Sequence, residues 1–338
     1  MQKLYNQILA GRWLIITVVI LLTAFFGFQI SKLTINADII DSLPDDDQDA
    51  LLLKEISNRF GGNNIGIVIL ETESVYDTQV IRDVQAVTDS LEAITEITTV
   101  TSLTNIINIQ STAYGIEIGK LVDEYDLPET AEELEKLKNT ILSNEMYRGS
   151  IVSGDGTSTL VIFTLSEEAD VKAVATEVKN KIESLSLPEN IYYTGSPMLV
   201  TYISDLMTKD LMRLLPVALV LITLILALSF RSVRGVLLPL ITAILAIVWT
   251  LGLMGWLGVQ MSMISNNIPI ILLAVGSAYT IHVVNRVYQV INADQRRAVR
   301  EALRYVMIPV ILAAVTTMIG FVSFIFGAYL TMIRDFGL

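Results

Sequence analysis

Apolar positions along this chain follow two different rhythms. Five stretches are almost continuously apolar: 13–30, about 214–230, 236–257, 268–291 and 306–330. A hydrocarbon core about 30 Å thick needs roughly 20 mostly apolar residues in helix, so each stretch predicts a membrane-spanning helix. Between the first two, the pattern breaks into short units. Leu51, Leu52, Ile56 and Phe60 recur at helical spacing, as do Val80, Ile81, Val84, Val87 and Leu91. Short apolar runs at 65–70, 97–103, 159–165 and 191–193 predict strands, and further helices are expected at 132–142 and 170–185. Asp45-Asp46-Asp47 precedes the first of these helices, where carboxylates favour an N-terminus, and Gly61-Gly62 ends it. A calcium-loop reading of those acids lacks the Gly and the later bidentate Glu of an EF-hand. Gly154-Asp155-Gly156 predicts a hairpin turn between 150–153 and 159–165. The order of elements suits split βαβ packing. The expected fold is therefore an α-helical polytopic membrane protein with an inserted α+β (split βαβ, ferredoxin-like) extracytoplasmic domain. Its divisions are 1–30, 31–210 and 211–338.

Charge sharpens this division. Of 338 residues, 52% are hydrophobic and only 17% charged, yet the net charge is −12. Residues 31–210 hold 32 of the 35 acids and 12 of the 23 bases, a net −20, which leaves +8 on the rest. Lys3 and Arg12 precede the first helix. Arg231 and Arg234 link the second and third, and Arg286, Arg296, Arg297, Arg300 and Arg304 mark the link between the fourth and fifth. Bases in short loops face the cytoplasm, which predicts a multi-pass protein of the cell (inner) membrane with a cytoplasmic N-terminus and residues 31–210 outside. The first apolar run exceeds the h-region of a signal peptide, about 7–15 residues, and reads as an uncleaved anchor. Cys is absent and His282 is the single histidine, which argues against disulfides, thiol chemistry and a His- or Cys-based metal site. The excess charge has the wrong sign for nucleic acid. No G-x-x-x-x-G-K-[ST] phosphate loop occurs, and no cofactor or catalytic constellation is indicated, so an enzyme is not expected.

Several motifs, in order, carry a resemblance. Phe230-Arg231-Ser232-Val233-Arg234-Gly235-Val236-Leu237-Leu238-Pro239-Leu240 resembles the link between the second and third helices of resistance-nodulation-division (RND) exporters. Thr316-Thr317-Met318-Ile319-Gly320-Phe321-Val322-Ser323 is similar to their fifth-helix signature, and Asp335-Phe336-Gly337-Leu338 to the start of their sixth helix. Gly276-Ser277-Ala278-Tyr279-Thr280-Ile281-His282 resembles the fourth-helix motif of the lipid-handling branch, which includes hopanoid exporters, the mycobacterial membrane protein large family and Patched-like proteins. The resemblance covers essentially the whole chain and implies the first half of such an exporter, ending before its sixth helix. In many relatives an Asp directly precedes the fourth-helix Tyr and carries the coupling proton. Here Ala278 holds that position, so that role does not transfer to it.

The fourth helix nevertheless carries a polar face. Ala278, His282, Asn285 and Gln289 recur at steps of four and three residues, with Tyr279 and Arg286 at its flanks. Polar groups inside a membrane are expensive and point to function. His282, Tyr279 and Asn285, with Ser277 and with Thr316 and Thr317 across the interface, form a candidate ion-coupling or polar network. Polar glue between helices, with Gly276 and Gly320 allowing close approach, is the plainer reading. A third reading leaves this half uncoupled. Arg231, Arg234 and Arg286 are candidate cytoplasmic-side anchors whose guanidinium groups reach the headgroups. The resemblance implies half of an ion-driven secondary transporter for lipids or other hydrophobic molecules. Its partners would be membrane lipids, a hydrophobic substrate and either the rest of the same transporter or further copies of this chain. The alternative is a non-transporting, sterol-sensing-like receptor or assembly factor.

Overall fold

The computed structural model describes residues 11–338 apart from 39–41, 45–46, 61–63, 113–114, 124–125, 167 and 291–294. Lys3, Asp45, Asp46, Gly61 and Gly62 therefore lie outside the described residues, as do the side chains of Arg296, Arg297 and Arg300. The chain divides into two compact units, Gln48–Ile203 and the combination of Met1–Asp47 with Ser204–Leu338.

The second of these is a set of long helices. In chain order they are α1 (Arg12–Gln29), α6 (Ser196–Phe230), α7 (Val233–Leu257), α8 (Ile268–Val290) and α9 (Gln295–Gly327). A short α10 (Thr331–Gly337) follows. Among the described residues, five helices are long and apolar enough to cross a membrane. The second runs well upstream of the expected 214. Its first half carries Asp205, Lys209, Asp210 and Arg213, which hide it from a reading based on apolar runs. Pro197 sits in its first turn, where its fixed φ suits a helix start. The fifth stops at Gly327, three residues short of the expected end, and Leu330 begins the next helix as its N-cap.

Helix α7 is the hub, in contact with both α1 and α8. Its N-cap Ser232 accepts the Gly235 amide at 3.1 Å, and Gly258, at φ 74°, closes its C-terminus in the left-handed conformation. A Cβ added to Gly252 would lie 2.3 Å from the Phe26 carbonyl oxygen, and one on Gly255 would lie 2.3 Å from that of Gln29. Two glycines, three residues apart on one face, thus let the α1 backbone press against α7. Trp249 Nε1 donates to Thr23 Oγ1 at 3.0 Å on the same interface.

The other unit is α+β. It contains α2 (Gln48–Phe60), β1 (Ile65–Glu71), α3 (Thr78–Glu92), β2 (Ile97–Thr101), β3 (Ile107–Thr112), β4 (Gly115–Lys120), α4 (Ala131–Ser143), β5 (Ser158–Leu165), α5 (Val171–Ser184) and β6 (Asn190–Gly195). Four strands form one sheet in the order β2-β5-β1-β6, every pair antiparallel. Alternation in β1 and β5 turns Val68, Leu70, Val161 and Phe163 inward, where they meet Ile81, Val84 and Leu91 of α3 and Val174 and Val178 of α5. Side-chain caps fix both helices: Asp77 accepts the Gln79 amide, and Asp170 those of Lys172 and Ala173.

Two local expectations change. Residues 150–153 do not form a strand, because the Tyr147 carbonyl accepts the amides of Ser150, Ile151 and Val152 and holds them in turns. Val152 bridges to Thr159 as an isolated pair, flanked by bonds from the Leu160 amide to the Ile151 carbonyl and from the Ser153 amide to the Ser158 carbonyl, both 2.9 Å. Conversely, β3 and β4 form a separate hairpin that the sequence reading passed over. Ile107, Ile109, Ile116 and Ile118 share one face of it and are all exposed.

Candidate functional site

The polar face of the fourth membrane helix lies in α8, and the structure turns it toward α9. A cavity of about 430 Å³ opens between the two helices. Tyr279, His282, Asn285 and Arg286 line it from α8, while Tyr305 and Pro309 line it from α9. Proline has no amide proton, so at Pro309 the helix loses the bond that would otherwise end on the Tyr305 carbonyl. Membrane helices tolerate such a gap where neighbouring groups compensate.

One polar contact joins the helices directly. The Tyr279 hydroxyl lies 3.1 Å from Thr317 Oγ1. Thr317 gives its own single hydroxyl proton to the Ala313 carbonyl at 3.0 Å, so Tyr279 is the donor across the interface. His282 and Asn285 also line the cavity, and neither makes a hydrogen bond among the described residues. Both imidazole nitrogens and the carboxamide are thus available to ions, water or another chain.

The other members of the candidate network behave differently. Ser277 is buried and donates to the Ala274 carbonyl at 2.9 Å, within its own helix. Thr316 is exposed and donates to Leu312 of its own helix at 2.8 Å. The site therefore gathers Tyr279, His282, Asn285 and Thr317, and does not gather Ser277 or Thr316.

The glycines also separate. At Gly276 an added Cβ would lie 3.3 Å from Ala243 Cα, so this residue does permit close approach of α8 to α7. Beside it, Thr280 Oγ1 and Thr242 Oγ1 lie 2.8 Å apart across the same interface. At Gly320 an added Cβ would meet nothing within 4 Å, so no close packing depends on that residue among those described. The closest helix approach uses Gly252 and Gly255, which sequence reasoning missed. The signal was their spacing, Gly252-Leu253-Met254-Gly255, within an apolar helix.

Of the three anchors, Arg231 takes a positive φ of 49° and ends α6, its amide bonded to the Ala227 carbonyl at 3.0 Å. Arg234 is exposed on the first turn of α7. The intervening Ser232 meets the Tyr288 hydroxyl at 2.8 Å, which fastens the α6–α7 link to α8. Arg286 has contacts that the sequence did not indicate. Its Cζ lies 4.2 Å from the centroid of the Tyr305 ring, and its Nη1 donates to Gln289 Oε1 at 3.0 Å. Its Nε is buried without a hydrogen-bond partner among the described residues.

Comparison with known proteins gives this geometry a setting. Residues 43–338 match the MMPL family. A protein of Methanocaldococcus jannaschii, named for its place in the membrane, is 24% identical over 345 aligned positions, which cover 96% of this chain and 84% of that protein. Among solved structures, the crystal structure of a heavy metal efflux pump superposes with a TM-score of 0.55 at 11% identity. That match covers 99% of this chain and 45% of the pump, so the chain spans less than half of that structure. At such identity the likeness concerns the fold.

Proposed function

This chain belongs to the MMPL family, and from that premise we propose that it serves as one half of an RND-type secondary transporter that moves lipids or other hydrophobic molecules. Ion binding at the polar face of α8 drives the cycle. The observation that carries this reading is the contact between Tyr279 and Thr317, set between two apolar helices beside His282, which makes no hydrogen bond among the described residues. Histidine as a residue type changes charge near physiological pH. Protonation at His282 would place a cation next to a hydroxyl pair that spans the α8–α9 interface, and so bias how the two helices pack.

The supporting assembly is read in the same way. The strand order β2-β5-β1-β6, with α3 and α5 as the crossovers, fits the split βαβ arrangement of ferredoxin-like domains. The distribution of Lys and Arg favours a cell (inner) membrane location, with the N-terminus cytoplasmic and the α+β unit outside. The partners are membrane lipids, a hydrophobic substrate, and either a second half or further copies of this chain.

The test is transport of a fluorescent lipid in proteoliposomes under an imposed pH gradient, with the complete protein. His282→Ala and His282→Gln are expected to abolish the gradient dependence, while the helical signal in circular dichroism stays unchanged. Wild-type gradient dependence in both variants would overturn the assignment of coupling to this residue.

A second reading has one observation in its favour. Ala278 stands where many relatives carry a carboxylate, and no carboxylate lines the α8–α9 cavity among the described residues. A sterol-sensing-like receptor or assembly factor needs none. It would bind lipid without any response to a pH gradient, so the same proteoliposome measurement separates the two readings.

A further inference from the structure

Among the described residues, the α8–α9 cavity holds a cation without a counter-ion. Arg286 projects into it from the last turns of α8, and Tyr305 faces it from α9. A guanidinium offers five N–H donors in a fixed fork. Among the described residues, one bond is made, from Nη1 to Gln289, and the buried Nε has no partner. No carboxylate lines the cavity among those residues. A charge held this way is unfavourable unless something anionic completes the site.

The rest of the lining narrows the choice. Farther along α9 from the α8–α9 connection, the wall turns apolar at Pro309, Val310 and Ala313. The cavity is thus cationic at one end, with an apolar wall along α9 that faces the polar positions of α8, and it lies between two helices long and apolar enough to cross a membrane. A guanidinium matches phosphate in a bidentate way that a point charge does not. The ring of Tyr305, 4.2 Å from the Arg286 Cζ, holds the guanidinium at the α9 side of the cavity. We propose that this cavity holds one anionic phospholipid, its phosphate on Arg286 and an acyl chain along Pro309, Val310 and Ala313. Basic recesses between membrane helices recognise anionic headgroups in this manner. The inference rests on the membrane reading of these helices and not on transport.

The test is native mass spectrometry of the delipidated full chain in a non-ionic detergent. It is titrated separately with dioleoylphosphatidylglycerol, with dioleoylphosphatidylcholine and with inorganic phosphate. The chain is expected to take up one phosphatidylglycerol with a preference of about fivefold over phosphatidylcholine, the effect of a single basic residue on an anionic lipid. Arg286→Gln should lose that preference, Arg286→Lys should keep part of it, and Lys179→Gln, altered at an exposed position of the α+β unit, should keep all of it. An unchanged preference in Arg286→Gln would overturn the proposal. So would displacement of the lipid by millimolar inorganic phosphate, which would make the bare anion the ligand. Binding is read at equilibrium with no gradient, so its failure is distinct from a failure of coupled transport.

Discussion

Single carboxylates in the α+β unit carry opposite pH behaviour. Glu189, beside the start of β6, has its carboxyl pushed up by burial first, and then by the neighbouring charges of Asp83 and Asp77. Glu189 Oε2 and Asp83 Oδ2 are both buried without a hydrogen-bond partner among the described residues. A carboxyl raised in the folded state is favoured there in its protonated form. Its contribution is complete below the unfolded value and is lost as pH rises through the folded one. Glu189→Gln removes the charge and keeps the shape. At pH 7 it should stabilise the protein by about 1 kcal/mol or less, given the partial exposure of the site, and the gain should vanish as pH falls below the ordinary range of a glutamate. Thermal unfolding from pH 7 to pH 4 checks both the sign and the window. Asp155 works the other way. Its carboxylate is held at about 2 by bonds from the Ser153 hydroxyl and from the Thr157 hydroxyl and amide, so its contribution persists across that window and is lost only as pH falls toward 2. The turn at Asp155 was legible in Gly154-Asp155-Gly156, because it is built from adjacent residues. The Glu189–Asp83 neighbourhood was not, because the chain brings together positions far apart that no local pattern links.

At the level of elements, the chain displays what is periodic or continuous and conceals what depends on contact. All five long helices were legible as apolar runs, and α3 and α5 as helical stripes, since burial of one face dictates the spacing. The β3–β4 hairpin escaped because its four isoleucines alternate toward an exposed face, where apolar content was not expected. The same limit applies to helix packing. Gly276 and Gly320 look alike in sequence, yet a closely packed neighbour stands at the first and, among the described residues, none at the second. The steric demand is strongest at Gly252, where an added Cβ would strike the backbone of α1. Gly252→Val should therefore separate α1 from α7 and destabilise the helical unit by roughly 1–3 kcal/mol, the range for overpacking. Gly320→Val should leave it nearly unchanged. Parallel thermal melts in detergent, followed by tryptophan fluorescence with Trp13 and Trp256 replaced by Phe so that Trp249 at that interface reports alone, compare the two. Equal losses would mean that the α1–α7 contact does not depend on small residues.

For the whole molecule, the segregation of charge makes a claim that no single helix can make. Crossing a bilayer five times alternates the side on which each link emerges, and a basic residue resists translocation more than an acidic one does. The links rich in arginine are the ones that an alternating path puts together: the start of α1, the α6–α7 turn with Arg231 and Arg234, and the α8–α9 connection. On the proposed path the long insertion between α1 and α6 lies on the opposite side, and residues 31–210, which hold this insertion and the first turns of α6, carry the net −20. By the same reasoning, a proposed topology draws on more of the sequence than a proposed mechanism does. Orientation is a sum over many charges and tolerates local errors, whereas coupling depends on a few groups whose mutual distances only the folded helices set. The chain contains no cysteine, so single cysteines can report the side without a background to remove. Glu73→Cys, exposed in the α+β unit, should react in intact cells with a maleimide that crosses the outer barrier but not the cell membrane. Arg234→Cys, exposed in the α6–α7 link, should react only after that membrane is permeabilised. Labelling of Arg234→Cys in intact cells, with Glu73→Cys protected, would invert the orientation and place the Arg286 cavity nearer the outer leaflet.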